Sequence, residues 1–201
     1  VYLYTGDAYY KAGQVERAEQ IYKAYLSQDT NTEIISSLMS SLLDQQKYDE
    51  MNQYLSSVSD DNSLSYLKGV AAMGLKKYDE AETHFQKVLA NGDKGLSTKV
   101  YLNRVRNFFL AERYNEAIQA GEQYLSRINP DKEKAIYSEM LDKIGLSYFR
   151  VGKYEQARSY YSKIASMKGY EVYGKFQIAD SYYNEKNYAK AGELYKSIYN
   201  N

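Results

Sequence analysis

The chain of 201 residues contains no cysteine, no tryptophan, one histidine (His84) and one proline (Pro130). Without cysteine there can be no disulfide framework, thiolate metal site or thiol nucleophile. A single histidine cannot furnish a histidine-rich metal site or a conventional catalytic triad, and its place in an otherwise polar helical stretch predicts a solvated surface group. There is no excess charge of either sign: 26 basic residues balance 26 acidic ones. A dedicated nucleic-acid binder needs a basic surplus to displace counterions from phosphate, so that class is set aside. No apolar run reaches the roughly 18 residues that a membrane span requires, which excludes membrane insertion by a helix. The first residue is Val1 and no signal-peptide pattern follows it, which leaves the compartment open.

What is abundant is tyrosine, with 25 residues. A large amphipathic ring can fill the space between helices while its hydroxyl reaches water. Scarce proline with plentiful Ala, Leu, Lys, Glu and Gln favours helix, and no segment alternates strictly over the length of a strand. The expected class is all-α.

One four-residue pattern recurs: Tyr48-Asp-Glu-Met51, Tyr78-Asp-Glu-Ala81, Tyr114-Asn-Glu-Ala117, Tyr154-Glu-Gln-Ala157 and Tyr188-Ala-Lys-Ala191, with Val15-Glu-Arg-Ala18 as a variant. The closing residues at 18, 51, 81, 117, 157 and 191 are spaced by 33, 30, 36, 40 and 34. Twelve residues before each stands Gly6, Met39, Gly69, Val105, Gly145 or Ala179; four after it stands Tyr22, Leu55, Phe85, Gly121, Tyr161 or Tyr195. The pattern resembles the tetratricopeptide repeat, whose unit is near 34 residues, in six phased units over nearly the whole chain. The resemblance implies a right-handed superhelical solenoid of antiparallel helix pairs in one domain, with units near 1–30, 31–61, 62–96, 97–129, 130–169 and 170–201.

Neither helix of a unit is long enough to be stable alone, so the pair must pack. Small residues at Gly6 and Ala18, Gly69 and Ala81, and Gly145 and Ala157 are expected to face each other, with the large aromatics filling the seams between units. Helices are expected over 1–11, 14–26, 31–44, 47–57, 62–75, 78–90, 97–111, 114–127, 130–151, 154–166, 170–184 and 188–199, Asn129-Pro130 starting the ninth. Met39 and Met51 stand where sibling units keep small residues, which predicts a splayed pair there. Gly121 lacks the usual aromatic, and one of Phe108, Phe109 or Tyr124 is expected to fill its space. Tyr195 and Ile198 occupy slots that normally pack on a following helix. An uncapped last repeat of this kind suggests contacts with another molecule or a longer parent protein.

Nothing in the chain assembles catalytic chemistry. Asn91-Gly-Asp-Lys-Gly95 lacks the ligand spacing of an EF-hand and reads as a turn. No cofactor, metal site or enzymatic activity is expected. The resemblance places function on the concave face, made by the first helix of each unit. The residues expected to meet a partner are Tyr10 and Tyr66 in the first and third units, and Lys99, Leu102, Asn103, Arg106 and Phe109 in the fourth. The fifth adds Lys143, Leu146, Phe149 and Arg150, and the sixth Tyr173 and Phe176. Aromatic and arginine groups of this kind form binding hot spots. The expected role is a non-enzymatic scaffold for a peptide or protein segment, one with acidic residues flanking an apolar anchor. The alternative is a structural solenoid that assembles with copies of itself or spaces a larger protein. The cysteine-free, tyrosine-rich composition favours a bacterial periplasm or cell envelope over the cytoplasm.

Overall fold

The computed structural model describes residues 2–28, 31–58, 62–92 and 94–199. Over these residues the chain forms α1 (Tyr2–Lys11), α2 (Val15–Leu26), α3 (Thr32–Asp44), α4 (Tyr48–Ser57), α5 (Asn62–Gly74) and α6 (Tyr78–Ala90). It continues through α7 (Lys94–Leu110), α8 (Tyr114–Leu125), α9 (Lys134–Arg150), α10 (Tyr154–Ala165), α11 (Glu171–Asn184) and α12 (Tyr188–Tyr199). Consecutive helices pair antiparallel, and the hairpins stack in chain order within two compact units, Val1–Gly92 and Asp93–Asn201. The architecture is an all-α solenoid of helix hairpins.

One turn is used in all the hairpins. In the first, the Gly13 N–H donates to the Tyr10 carbonyl at 2.9 Å and the Gln14 N–H to the Tyr9 carbonyl at 2.9 Å. The same two bonds recur at Gln46 and Lys47, Lys76 and Lys77, Glu112 and Arg113, Gly152 and Lys153, and Lys186 and Asn187. This Schellman geometry satisfies helix-end carbonyls and requires a left-handed residue. Gly13 and Gly152 adopt it without cost, whereas Gln46, Lys76, Glu112 and Lys186 hold φ between 57° and 67° with a side chain attached. Tyrosines that open the next helices close three of these turns edge-on: Phe109 to Tyr114, Phe149 to Tyr154 and Tyr183 to Tyr188, at 5.3–5.5 Å between ring centres.

The packing differs from the small-on-small arrangement expected. A Cβ on Gly6 would lie 2.3 Å from the Tyr22 ring, one on Gly69 2.5 Å from Phe85, and one on Gly145 3.0 Å from Tyr161. The glycine is therefore a seat for the aromatic sixteen residues later in the same hairpin, and the Tyr22 and Tyr161 rings also belong to buried clusters that take in side chains of the next unit. The alanines, with Met51, are nevertheless at most 1 % exposed. In the fourth hairpin the pair is inverted, with Val105 on the first helix and Gly121 on the second. None of Phe108, Phe109 or Tyr124 fills the space at Gly121. It is taken by Ile144 of α9, whose Cγ1 would be 2.4 Å from an added Cβ. Gly121→Phe is still expected to destabilise, by about 1–3 kcal/mol of overpacking, read from the urea midpoint, and Ile144→Ala should relieve it.

Two further expectations are modified. Asn129 does cap a turn, its Oδ1 accepting from the Asp131 and Lys132 N–H groups at 3.0 Å. That turn is separate, because Glu133 leaves the helical path (φ −121°, ψ 40°), and α9 begins at Lys134 with 17 residues, as many as α7. His84 is half-buried on α6, not fully solvated. The α3/α4 pair does make the sparsest approach of the hairpins, with Met39 and Met51 fully buried as flexible filler.

Candidate functional site

In the first compact unit, Tyr10 of α1 reaches across to α3, its hydroxyl donating to Asp44 Oδ2 at 2.5 Å. That bond to a carboxylate, with burial and the charge of Asp44 adding to it, pushes the phenol pKa up to about 12. Tyr22 donates likewise to Asp7 at 2.7 Å. Tyr66 on α5 is half-buried and tilts against Phe85 at 6.4 Å.

In the second unit the first helices are tied side by side. Arg106 of α7 grips Glu139 of α9 with two bonds of 2.5 Å and donates a third to Asn103 at 2.8 Å. Such a bidentate fork fixes orientation as well as charge. Tyr173 of α11 donates to Asp142 Oδ1 of α9 at 2.5 Å, and Lys143 meets the other oxygen of Asp142 at 3.2 Å. Burial, then the bond to Asp142, holds the Tyr173 phenol well above its ordinary range.

These contacts sort the residues expected from sequence. Lys99 and Arg150 are exposed, and so are Tyr173 and Phe176, at 43 % and 48 %. Phe176 lies 5.6 Å from Tyr195 of α12. Leu102 and Asn103, each 4 % exposed, lie in the interior and are not surface contacts. Phe109 is half-buried beneath Lys143, whose Nζ is 5.4 Å from the ring centre, and Phe149 is committed to Tyr154. Leu146 is half-buried. Arg106 and Lys143 are neutralised by acids of the same face, so half of the four cations expected there are internally paired.

Beside these ties lies an open pocket of about 420 Å³, lined by Ser138, Glu139 and Asp142 of α9, Ile164 of α10, Tyr170 just before α11 and Tyr173 of α11, with Ala135 also in the lining. Ser138, Ile164 and Tyr170 carried no sequence signal of a site. Ser138 and Ile164 read as packing residues, and Tyr170 sits in a junction next to Gly169.

Tyr161 lacks the acid partner that Tyr22 has. Its ring is fully buried over Gly145, yet its hydroxyl has no hydrogen-bond partner among the described residues. Tyr22 finds Asp7, the residue after its glycine seat; the residue after Gly145 is Leu146, which offers no acceptor. Phe85, over Gly69, is followed in the same register by Val70 and has no hydroxyl to satisfy. Tyr161→Phe should therefore stabilise the chain by about 1 kcal/mol, since it removes a buried donor without a partner. Thermal unfolding followed by circular dichroism checks this, and a loss of stability would refute it.

Among the described residues no group of three or more His, Cys, Asp or Glu side chains could hold a metal ion, and no helix is long and apolar enough to cross a membrane. Stacked helix hairpins with a face of linked first helices define a helical-repeat solenoid. Models of the tetratricopeptide repeat match residues 66–133 and 143–200, and a second such model matches residues 1–32. The chain belongs to the tetratricopeptide repeat family. Proteins of this fold generally act as protein–protein interaction scaffolds. No curated protein matches the chain.

Similar solved structures include a tetratricopeptide repeat protein from Parabacteroides merdae, 17 % identical with a TM-score of 0.68, covering 99 % of this chain and 77 % of that one. The C-terminal part of a repeat-containing protein from Cytophaga hutchinsonii is 16 % identical with a TM-score of 0.73, covering 98 % and 77 %. The Pseudomonas aeruginosa protein pilF is 18 % identical with a TM-score of 0.56, covering 99 % and 74 %. At these identities the likeness concerns the fold.

Proposed function

We propose that the chain is a non-enzymatic scaffold that binds a peptide or protein segment along the face shared by α7, α9 and α11. The observation that carries this reading is the pre-tied face itself. Arg106–Glu139 and Tyr173–Asp142 hold three first helices in register, while Tyr173 and Phe176 remain open to solvent beside the pocket. A face organised before binding loses little freedom on association, and exposed aromatic anchors supply buried area. Acidic residues of the partner would meet Lys99 and Arg150, the exposed cations of the face.

A randomised peptide library selected against the full chain supplies the test ligands. Phe176→Ala and Arg106→Glu should each weaken a selected peptide by more than about 1 kcal/mol. Retained helicity separates this from unfolding. Unchanged affinity in both variants would place the binding surface elsewhere.

A second reading, self-assembly through the last hairpin, is supported by the exposure of Val172, Tyr183, Tyr188 and Tyr199, from 54 % to 90 %. Sedimentation at several concentrations separates the two, because a monomer at all of them removes the assembly reading.

A further inference from the structure

The polar groups of the pocket between α9 and α11 have one chemical sense. The Ser138 hydroxyl donates to the Ala135 carbonyl at 2.9 Å, and the Tyr173 hydroxyl donates to Asp142. Glu139 and Asp142 are carboxylates. What these four groups turn toward a ligand is therefore lone pairs. The cations paired with the two acids, Arg106 and Lys143, do not line the pocket, so the only ionised groups of its wall are these two carboxylates, each sharing its charge with one of those cations. The wall offers an anion or a neutral acceptor no free donor, whereas a donor finds the remaining lone pairs of these oxygens.

The remaining lining suits a long aliphatic stem. Ile164 is fully buried beneath the opening, and Tyr170, which precedes α11, and Tyr173 of α11 form another wall. Aromatic faces attract cations, and the Tyr170 ring already does so: Lys134 Nζ sits 5.6 Å from its centre while donating to the Lys168 carbonyl at 2.7 Å. That lysine is held at the rim by its own carbonyl. A volume of about 420 Å³ is within the range of small ligand clefts and ample for one extended side chain.

We infer that this pocket takes a lysine or arginine side chain of the partner segment, its stem on Ile164 and its charged head at Asp142 and Glu139. The inference rests on the groove reading above and specifies its chemistry. The partner segment is then of mixed charge, with one basic residue seated in the pocket and acidic residues outside it facing Lys99 and Arg150.

Peptides selected from a randomised library on the full 201-residue chain are the probes. The expected result is a basic residue fixed at one position, whose replacement by norleucine weakens binding about tenfold or more. Asp142→Asn should weaken the parent peptide similarly and leave the norleucine peptide unchanged, whereas Glu193→Gln on α12 should alter neither. Should Asp142→Asn lose helicity, Tyr170→Leu, which removes an aromatic wall of the pocket and leaves both acids in place, provides the same comparison. Peptides that bind the face but tolerate norleucine, or whose affinity ignores both pocket variants, would overturn this inference and leave the groove reading standing. Recovery of no binding peptide at all would overturn both.

Discussion

Phe85→Ala is expected to cost about 3–5 kcal/mol, the largest effect of any single truncation considered for this chain. The ring is fully buried, and its edge rests on Gly69 so closely that an added Cβ would lie 2.5 Å from Cε1. Removing it forfeits the transfer energy of the whole ring and leaves a cavity that a glycine without a side chain cannot help to fill. Urea unfolding followed at 222 nm measures the loss. The complementary change, Gly69→Ala, should destabilise because the new methyl meets a ring held on all sides. Combining Gly69→Ala with Phe85→Leu should cost less than the two single changes together, since each relieves the other's fault. Simple additivity would mean that the glycine and the ring are not partners. The fourth hairpin carries a natural version of this exchange, with bulk at Val105, none at Gly121, and Ile144 completing the volume.

The second large effect is a pH dependence centred on Glu19. Its side chain is buried on α2, which alone would raise its pKa. The hydrogen bonds from Lys23 at 2.6 Å, Lys47 at 2.9 Å and Gln45 at 2.7 Å outweigh burial and lower the pKa to about 2. A folded pKa below the unfolded value stabilises wherever the unfolded carboxylate is already ionised, and that stabilisation disappears as protons bind the folded form. The contribution is therefore complete above about pH 5 and is lost between roughly pH 5 and pH 2. From 4.5 to about 2 the shift corresponds to about 3 kcal/mol. Measured as the difference between the wild type and Glu19→Gln, unfolding free energy should converge across this window as pH falls. A difference that stays constant from pH 5 to pH 2 would refute the assignment. The network joins α2, α3 and the turn into α4, so its loss should loosen the hairpin pair that is already least closely packed.

Local periodicity and turn chemistry placed the second helices closely and some first helices less so, α7 beginning at Lys94 where 97 was expected. The recurrent tyrosine or valine that opens each second helix, and the alanine or methionine three residues on, sit within a residue or two of the observed boundaries because helix formation and its stop signals are set over a few neighbouring residues. The turns were signalled by glycine only at Gly13 and Gly152; at Gln46, Lys76, Glu112 and Lys186 the left-handed residue two positions past the first helix carries a side chain, and local preference does not announce it. Asn129-Pro130 shows the limit of such signals. The capping chemistry is real, but whether the turn it starts runs on into α9 depends on the backbone at Glu133, which local preference does not decide.

Tertiary structure decided which side chains touch. The spacing of Gly6, Ala18 and Tyr22 shows that they share a hairpin, yet whether alanine or the ring covers the glycine depends on how far the two helices rotate and slide against each other. For the same reason the helical face holding Lys99, Asn103 and Arg106 could be read from spacings of three and four, while the burial of Asn103 and the capture of Arg106 by Glu139, 33 residues away, could not. Sequence alone determined that this protein is a solenoid of helix hairpins without the residues for thiol or histidine-triad chemistry. Only the stacked structure decided which of its first-helix residues face water, because a side chain's exposure is set by the neighbour that packs against it and not by its own position along the helix.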